Sequence, residues 1–312
     1  MQNDLSLNCT LAANITLTGE WTPIGSDNWH QYTGTFDGGN HTISGLTVTG
    51  SDEYAGLFGY IDKVGTVKNV KLEKVQITSD NQYANVGGMA GINNGTIENC
   101  SVSGSVSGTK CVGGVVGAQI GGSITGCSSS ATVQGTSQVG GVVGYTNYGV
   151  TLTACYATGD VTAKDNDTAG IFFAGGVVGS NGGNLTACYA TGDVTGGTGS
   201  IYVGGVTGSN DSSTLTACYH ATGTVSGPVE ATGGVTGRNY NALGAPVITA
   251  CYWGSNPNTG IGENQAGTTD GTTKVTDGNW TEAMNAMNAA LKSVDSEWRY
   301  ELTGKLPTLK EQ

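Results

Sequence analysis

The chain has 312 residues, 54 of them Gly, with 12% charged and 37% hydrophobic side chains and a net charge of −12. That balance leaves enough apolar surface for a core, which excludes the disordered class. With only 12 Lys and Arg, the chain lacks the basic footprint that nucleic acid or an anionic membrane demands of a partner.

The opening "MQNDLSLNCT" has neither the basic nor the apolar region of a secretory leader, so for an exported protein the leader is expected to lie outside this chain. No apolar run approaches the ~18 residues of a membrane-spanning helix, and no membrane insertion is expected. After "WTPIG" from Trp21 and "GTFDGGNHTISGL" from Gly34, a Gly-x-x-Gly word recurs at Gly56, Gly88, Gly114, Gly141, Gly176, Gly205 and Gly234. Its spacings of 32, 26, 27, 35, 29 and 29 residues are those of a repeat array and too irregular for a coiled coil.

Side-chain parity lays out each repeat. In "VGGVVG", Val139 and Val142 are three residues apart, so a straight strand would send them to opposite faces; the Gly pair must bend the chain. The residue after the first Gly of each word, from Leu57 and Met89 to Val206 and Val235, is always apolar and faces inward. Downstream of the last six words stand Cys100, Cys127, Cys155, Cys188, Cys218 and Cys251, with Val70 at the same place in the first repeat. A position shared by Val and Cys is small, apolar and buried. The next residue, Lys71, Ser101, Ser128 or Tyr156, belongs to a solvent-tolerant set. Such a repeat cannot bury its apolar face alone, but coils stacked ~4.8 Å apart can. The predicted fold is all-β, a right-handed parallel β-helix over residues 1–253.

Beyond Trp253 the rhythm stops, and residues 254–312 are predicted to be a linker followed by a capping segment. Asn279 and Glu282 have capping-box spacing, and Met284, Met287 and Leu291 form one stripe of a helix. With the closing "WRYELTGKLPTLKEQ" as a last extended piece, this segment is expected to cover the end of the solenoid, where an open coil would be a sticky edge.

The Gly-x-x-Gly words, together with "WTPIG", "GTFDGGNHTISGL" and "CYW" at Cys251, resemble the GLUG-motif repeat proteins of bacteria from about Trp21 to Trp253. Those repeats occur in large cell-surface proteins and beside the catalytic part of IgA-specific metallopeptidases. The resemblance implies a β-helix-like fold and an exported, surface-attached protein; it implies no chemistry.

Chemistry-bearing residues are sparse. In-register cysteines of parallel strands have parallel Cβ vectors, so the six are expected to be free thiols, with the state of Cys9 and Cys111 open. The repeated "ATGDVT" sets Asp160 and Asp193 on successive coils, an acidic pair with the spacing of a retaining glycosidase or a shared metal, although a Gly-Asp pair before a strand is ordinary turn chemistry and that reading is favoured. "KDNDTAG" from Lys164 has a Ca²⁺-loop beginning in Asp165, Asp167 and Gly170 but lacks the closing Glu, and no metal or other cofactor is expected. His30, His41 and His220 are the only histidines and no His-Glu-x-x-His occurs, so the chain has no zinc-peptidase motif. Tyr156, Tyr189, Tyr219 and Tyr252 follow their cysteines; exposed, they would form a ~15 Å ligand platform, and otherwise they stack on each other or lie under the C-terminal segment. Thr125, Thr153, Thr186, Thr216 and Thr249 form a rank that suits strands or, less well, ice. The expected function is a non-catalytic, extracellular, adhesin-like or stalk module of a larger bacterial surface protein, with a host or environmental glycan or surface protein as partner. The alternative is a polysaccharide-degrading β-helix, a lyase or glycoside hydrolase.

Overall fold

The computed structural model describes residues 4–165, 171–199 and 201–312. One coil shows the plan: Gln138–Gly140, Val143–Thr146, Thr151–Thr153, Tyr156–Ala157 and Val161–Ala163 are its strands. Each strand pairs in parallel with its counterparts one coil before and one coil after, as Val139 does with Val112 and Ala174. Stacking the coils produces parallel sheets of seven, eight, nine and fifteen strands, the parallel β-helix that the sequence predicted. In the early coils the last sheet runs through single long strands, Lys71–Thr78 and Ser101–Ser107. Later coils break this strand in two.

The two glycines of each Gly-x-x-Gly word work by close approach. A Cβ on Gly144 would lie 2.5 Å from the backbone nitrogen of Val112, and one on Gly141 would lie 2.6 Å from the Cβ of Ala157 across the core. Side chains there would push successive coils apart. A second corner precedes the cysteine column, where Asn69, Asn99, Gly126, Ala154, Ala187, Ala217 and Ala250 all have φ between 50° and 62°. Asn and Gly suit this left-handed region, whereas Ala is disfavoured by about 1–2 kcal/mol. Ala occurs where the corner packs against the C-terminal segment: Ala187 and Ala217 are fully buried beneath it, where an Asn amide would be costly.

The core is a set of columns. The six repeat cysteines are buried, all eight cysteines are free, and each column thiol donates to the carbonyl two residues earlier at 3.2–3.5 Å. Burial raises the pKa of Cys127, Cys188 and Cys251, which keeps them as inert thiols. A polar column that the sequence reading missed runs beside them. Asn181 donates to Asn210 at 3.1 Å, Asn210 to Asn239 at 3.1 Å, and Asn93 to Gln119 at 2.8 Å, all buried. The amides lie two residues after the second Gly of their words, a regularity that could have revealed them.

The ends are closed differently from expectation. Tyr32, Phe36 and Phe58 pack as an aromatic cluster in the first coils, with ring centroids 4.9 and 5.6 Å apart. At the other end Trp253 fills the core and donates to the Pro257 carbonyl at 2.9 Å. Strands Ile261–Asn264 and Thr272–Lys274 then add to the solenoid. The helix Thr281–Ser293 begins after Trp280, and Asn279 accepts the Thr281 N–H at 3.1 Å. Together with the antiparallel hairpin Trp298–Thr303 and Leu306–Glu311, the helix lies along the flank, over coils that include Tyr156, Tyr189 and Tyr219. It does not close the end. The aromatic column on that flank supplies the apolar surface that the segment buries, while Trp253 already fills the end of the core.

His220 occupies the core rung of Ala190 and Trp253. Its Nε2 lies 3.0 Å from the Gly192 carbonyl, its Nδ1 has no partner among the described residues, and burial lowers its pKa to about 4. The folded pKa is below that of the unfolded chain, near 6.5. The unfolded state therefore takes up the proton first, and stability falls as pH drops from about 6.5 toward 4. Denaturant titrations at pH 7.5 and 4.5 should differ by about 2–3 kcal/mol through this residue. In His220→Ala most of that difference should vanish; an unchanged difference would contradict the assignment.

Candidate binding surface

The outward column after the cysteines reads Lys71, Ser101, Ser128, Tyr156, Tyr189, Tyr219 and Tyr252 in register. Coil spacing forces the rings together: Tyr156 and Tyr189 are 4.8 Å apart at 3°, and Tyr189 and Tyr219 are 4.8 Å apart at 4°. Trp280 lies 5.0 Å from Tyr219, and Tyr300 packs edge-on at 5.5 Å. The Tyr300 hydroxyl donates to the Ala217 carbonyl at 2.9 Å, and the Tyr219 hydroxyl donates to the Pro307 carbonyl.

The exposed platform of four rings is therefore corrected: Tyr189 is 7% and Tyr219 0% exposed, because the C-terminal segment covers the middle of the column. Sequence parity could assign these rings outward but not show what lies over them. The two end rings remain half-buried. Tyr156 borders a groove of ≈ 380 Å³ with Glu73, Ser101, Ser103, Ser128 and Thr158. The position before Tyr156 is Ser128, a short side chain, so the ring face turned away from Tyr189 looks into this groove. At the other end Tyr252 borders a smaller groove of ≈ 230 Å³ with Lys274, Asp277, Asn279 and Glu282.

Asp160 and Asp193 do come together, on adjacent rungs preceding the Val161–Val194 pair. Asp160 Oδ1 accepts the Asp193 N–H at 3.0 Å, and Asp193 Oδ1 accepts the Thr224 N–H at 2.7 Å and its hydroxyl at 3.0 Å. Hydrogen bonds from Thr224 hold Asp193 below the usual carboxylate range, the opposite of what a general acid needs. Both carboxylates knit one coil to the next. Asp165 similarly accepts the Gly199 N–H at 3.1 Å; Asp167 and Gly170 of the Ca²⁺-loop reading lie outside the described residues. Among the described residues no cluster of His, Cys, Asp and Glu is arranged to hold a metal. The Thr rank is partly covered as well, with Thr125, Thr153 and Thr186 bordering Trp298 and Thr216 only 5% exposed.

One exposed residue escaped the sequence reading: Trp29, 91% exposed in "GSDNWHQY". The Asp-Asn turn signal between two buried core residues, Ile24 and Tyr32, could have flagged it.

Residues 82–107 and 108–134 match the GLUG motif, so the chain carries GLUG repeats in two adjacent coils. Halomucin of Haloquadratum walsbyi is 36% identical over 125 residues, covering 37% of this chain and 1% of that protein. A candidate Gly-rich membrane protein of Evansella cellulosilytica is 40% identical over 83 residues, covering 26% of this chain and 10% of that protein. The crystal structure of a candidate immunoglobulin A1 protease from Bacteroides ovatus superposes with a TM-score of 0.59 at 18% identity, covering 98% of this chain and 86% of that one. At that identity the likeness is one of fold.

Removing residues 279–312 should uncover Tyr189, Tyr219, Ala187, Ala217 and Ala221, which pack in one cluster with Trp280, Met287 and Leu291. We expect aggregation in light scattering while the β-type circular dichroism persists, since the coils pair independently of the segment. A truncated protein that stays monomeric with an unchanged melting temperature would show the segment to be dispensable.

Proposed function

We propose that this chain is a non-catalytic binding and display segment of a larger bacterial surface protein, extracellular, with a glycan as ligand in the groove beside Tyr156. In this reading the solenoid, extended past Trp253 by Ile261–Asn264 and Thr272–Lys274, is the scaffold, and the helix and hairpin from Trp280 onward are its flank cover. The observation that carries it is the open ring face of Tyr156, set beside the hydroxyls of Ser101, Ser103, Ser128 and Thr158 and the carboxylate of Glu73. An aromatic face with convergent polar groups suits a sugar, which has an apolar face and a hydroxyl rim. Surface exposure is supported by the names of the relatives, Halomucin and a membrane protein, each far longer than this chain. A non-catalytic role is supported by Asp160 and Asp193, each of which has one carboxylate oxygen engaged by the neighbouring coil. It is supported also by the lack of a His-Glu-x-x-His motif beside the protease name of the structural relative.

A panel of host, cell-wall and plant glycans, scored for both binding and chain cleavage, tests this proposal. Binding without product is expected. Tyr156→Ser, which copies Ser128, should weaken it about two- to tenfold, the worth of one stacked ring. Time-dependent release of shorter chains would instead establish the polysaccharide-degrading alternative.

A further inference from the structure

The loop 26–31 interrupts the first coil between Ile24, which bridges to Phe58, and Tyr32, which bridges to Ile61. Both anchors are buried, so the loop's base is fixed in the core. Its tip is fixed as well. Asp27 Oδ1 accepts the N–H groups of Trp29 at 2.8 Å and His30 at 2.9 Å, and the His30 Nδ1 lies 2.9 Å from both carboxylate oxygens. The Asp27 carbonyl accepts the His30 N–H at 3.1 Å, and the Gln31 amide donates to the Asn28 carbonyl at 2.8 Å. These hydrogen bonds hold the Asp27 carboxyl down to about 2, so the turn stays intact across the physiological range.

All this order serves to hold an indole in water. Trp29 is 91% exposed, and an exposed ring contributes almost nothing to folding, because apolar area stabilises only when it leaves solvent. The same arrangement recurs once in the early coils. Asn81 Oδ1 accepts the Tyr83 N–H at 2.9 Å, the Asn81 carbonyl accepts the Ala84 N–H at 3.0 Å, and Tyr83 is 60% exposed. Both turns present an aromatic residue two positions after an Asx cap.

We infer that Trp29 is a preorganised contact for a neutral pyranose glycan, separate from the groove beside Tyr156. A ring with its backbone already ordered loses little further entropy on binding, and Trp offers the largest rigid contact area per rotatable bond. The ligand class follows from charge. Residues 26–31 contain Asp27 and no Lys or Arg, on a chain of net charge −12, which disfavours sulfated or uronic-acid polymers. A neutral sugar meets the indole with its C–H face and the surrounding amides and imidazole with its hydroxyls.

The test uses the full chain and neutral hexasaccharides of glucose, xylose, mannose and galactose. Of the other four tryptophans Trp253 and Trp280 are buried and Trp21 and Trp298 half-buried, so acrylamide quenches Trp29 most readily, and Trp29→Phe gives the difference signal. At least one oligosaccharide should shield Trp29 from acrylamide, and Trp29→Ala should weaken its binding tenfold or more without lowering the melting temperature. Tyr156→Ser should leave this binding intact. Absence of shielding by every sugar, or unchanged affinity in Trp29→Ala, would overturn the inference. Loss in Tyr156→Ser alone would do the same while sparing the groove.

Discussion

Parallel backbone hydrogen bonds hold each coil about 4.8 Å from the next, and this spacing governs the rest of the molecule. Where two sheets meet at the Gly corner the approach is so close that Gly144 has no room for a side chain against Val112. Once the coils are locked at that distance, whatever side chain one coil places at a rung is stacked on its counterparts. Thiols, amides and tyrosines become columns for this reason alone. The aromatic column illustrates it: rings 4.8 Å apart and within 4° of parallel have taken the spacing of the backbone beneath them.

The constraint explains what sequence can and cannot reveal here. Val70 and the six cysteines were legible as an inward position because parity within a coil depends only on neighbours in the chain. The Asn column was readable in principle but went unread, since Asn93, Asn181, Asn210 and Asn239 look like surface residues until their amides are paired across coils. The place of the C-terminal segment was not legible. Tyr219 is the same residue whether water or Trp280 lies over it, and the choice is made by packing between parts of the chain far apart in sequence. The Ala corners at Ala187 and Ala217 carry a trace of that choice, for they give up the favoured Asn or Gly where the cover lies.

The same economy limits where function can reside. Polar groups that look available on a sequence, such as Asp160 and Asp193, are engaged by the coil that follows them. Among the described residues, aromatic surface stays open where the ladder is interrupted, as at the face of Tyr156 where the column changes from Tyr to Ser and at Trp29 where an insertion breaks the first coil. A rigid array that holds a few aromatic contacts at fixed separations suits the proposed role at a surface, because weak contacts gain strength when they are held in step.

The coils keep their hydrogen-bonded spacing only if the Gly corner stays free of side chains, and one comparison tests this directly. Gly144→Ala places a methyl against the Val112 backbone, whereas Gly244→Ala places one where nothing lies within 4 Å. Urea unfolding should show Gly144→Ala destabilised by at least about 2 kcal/mol, the scale of overpacking against a rigid backbone, with Gly244→Ala within about 0.5 kcal/mol of the parent. Equal stability of the two variants would contradict the account.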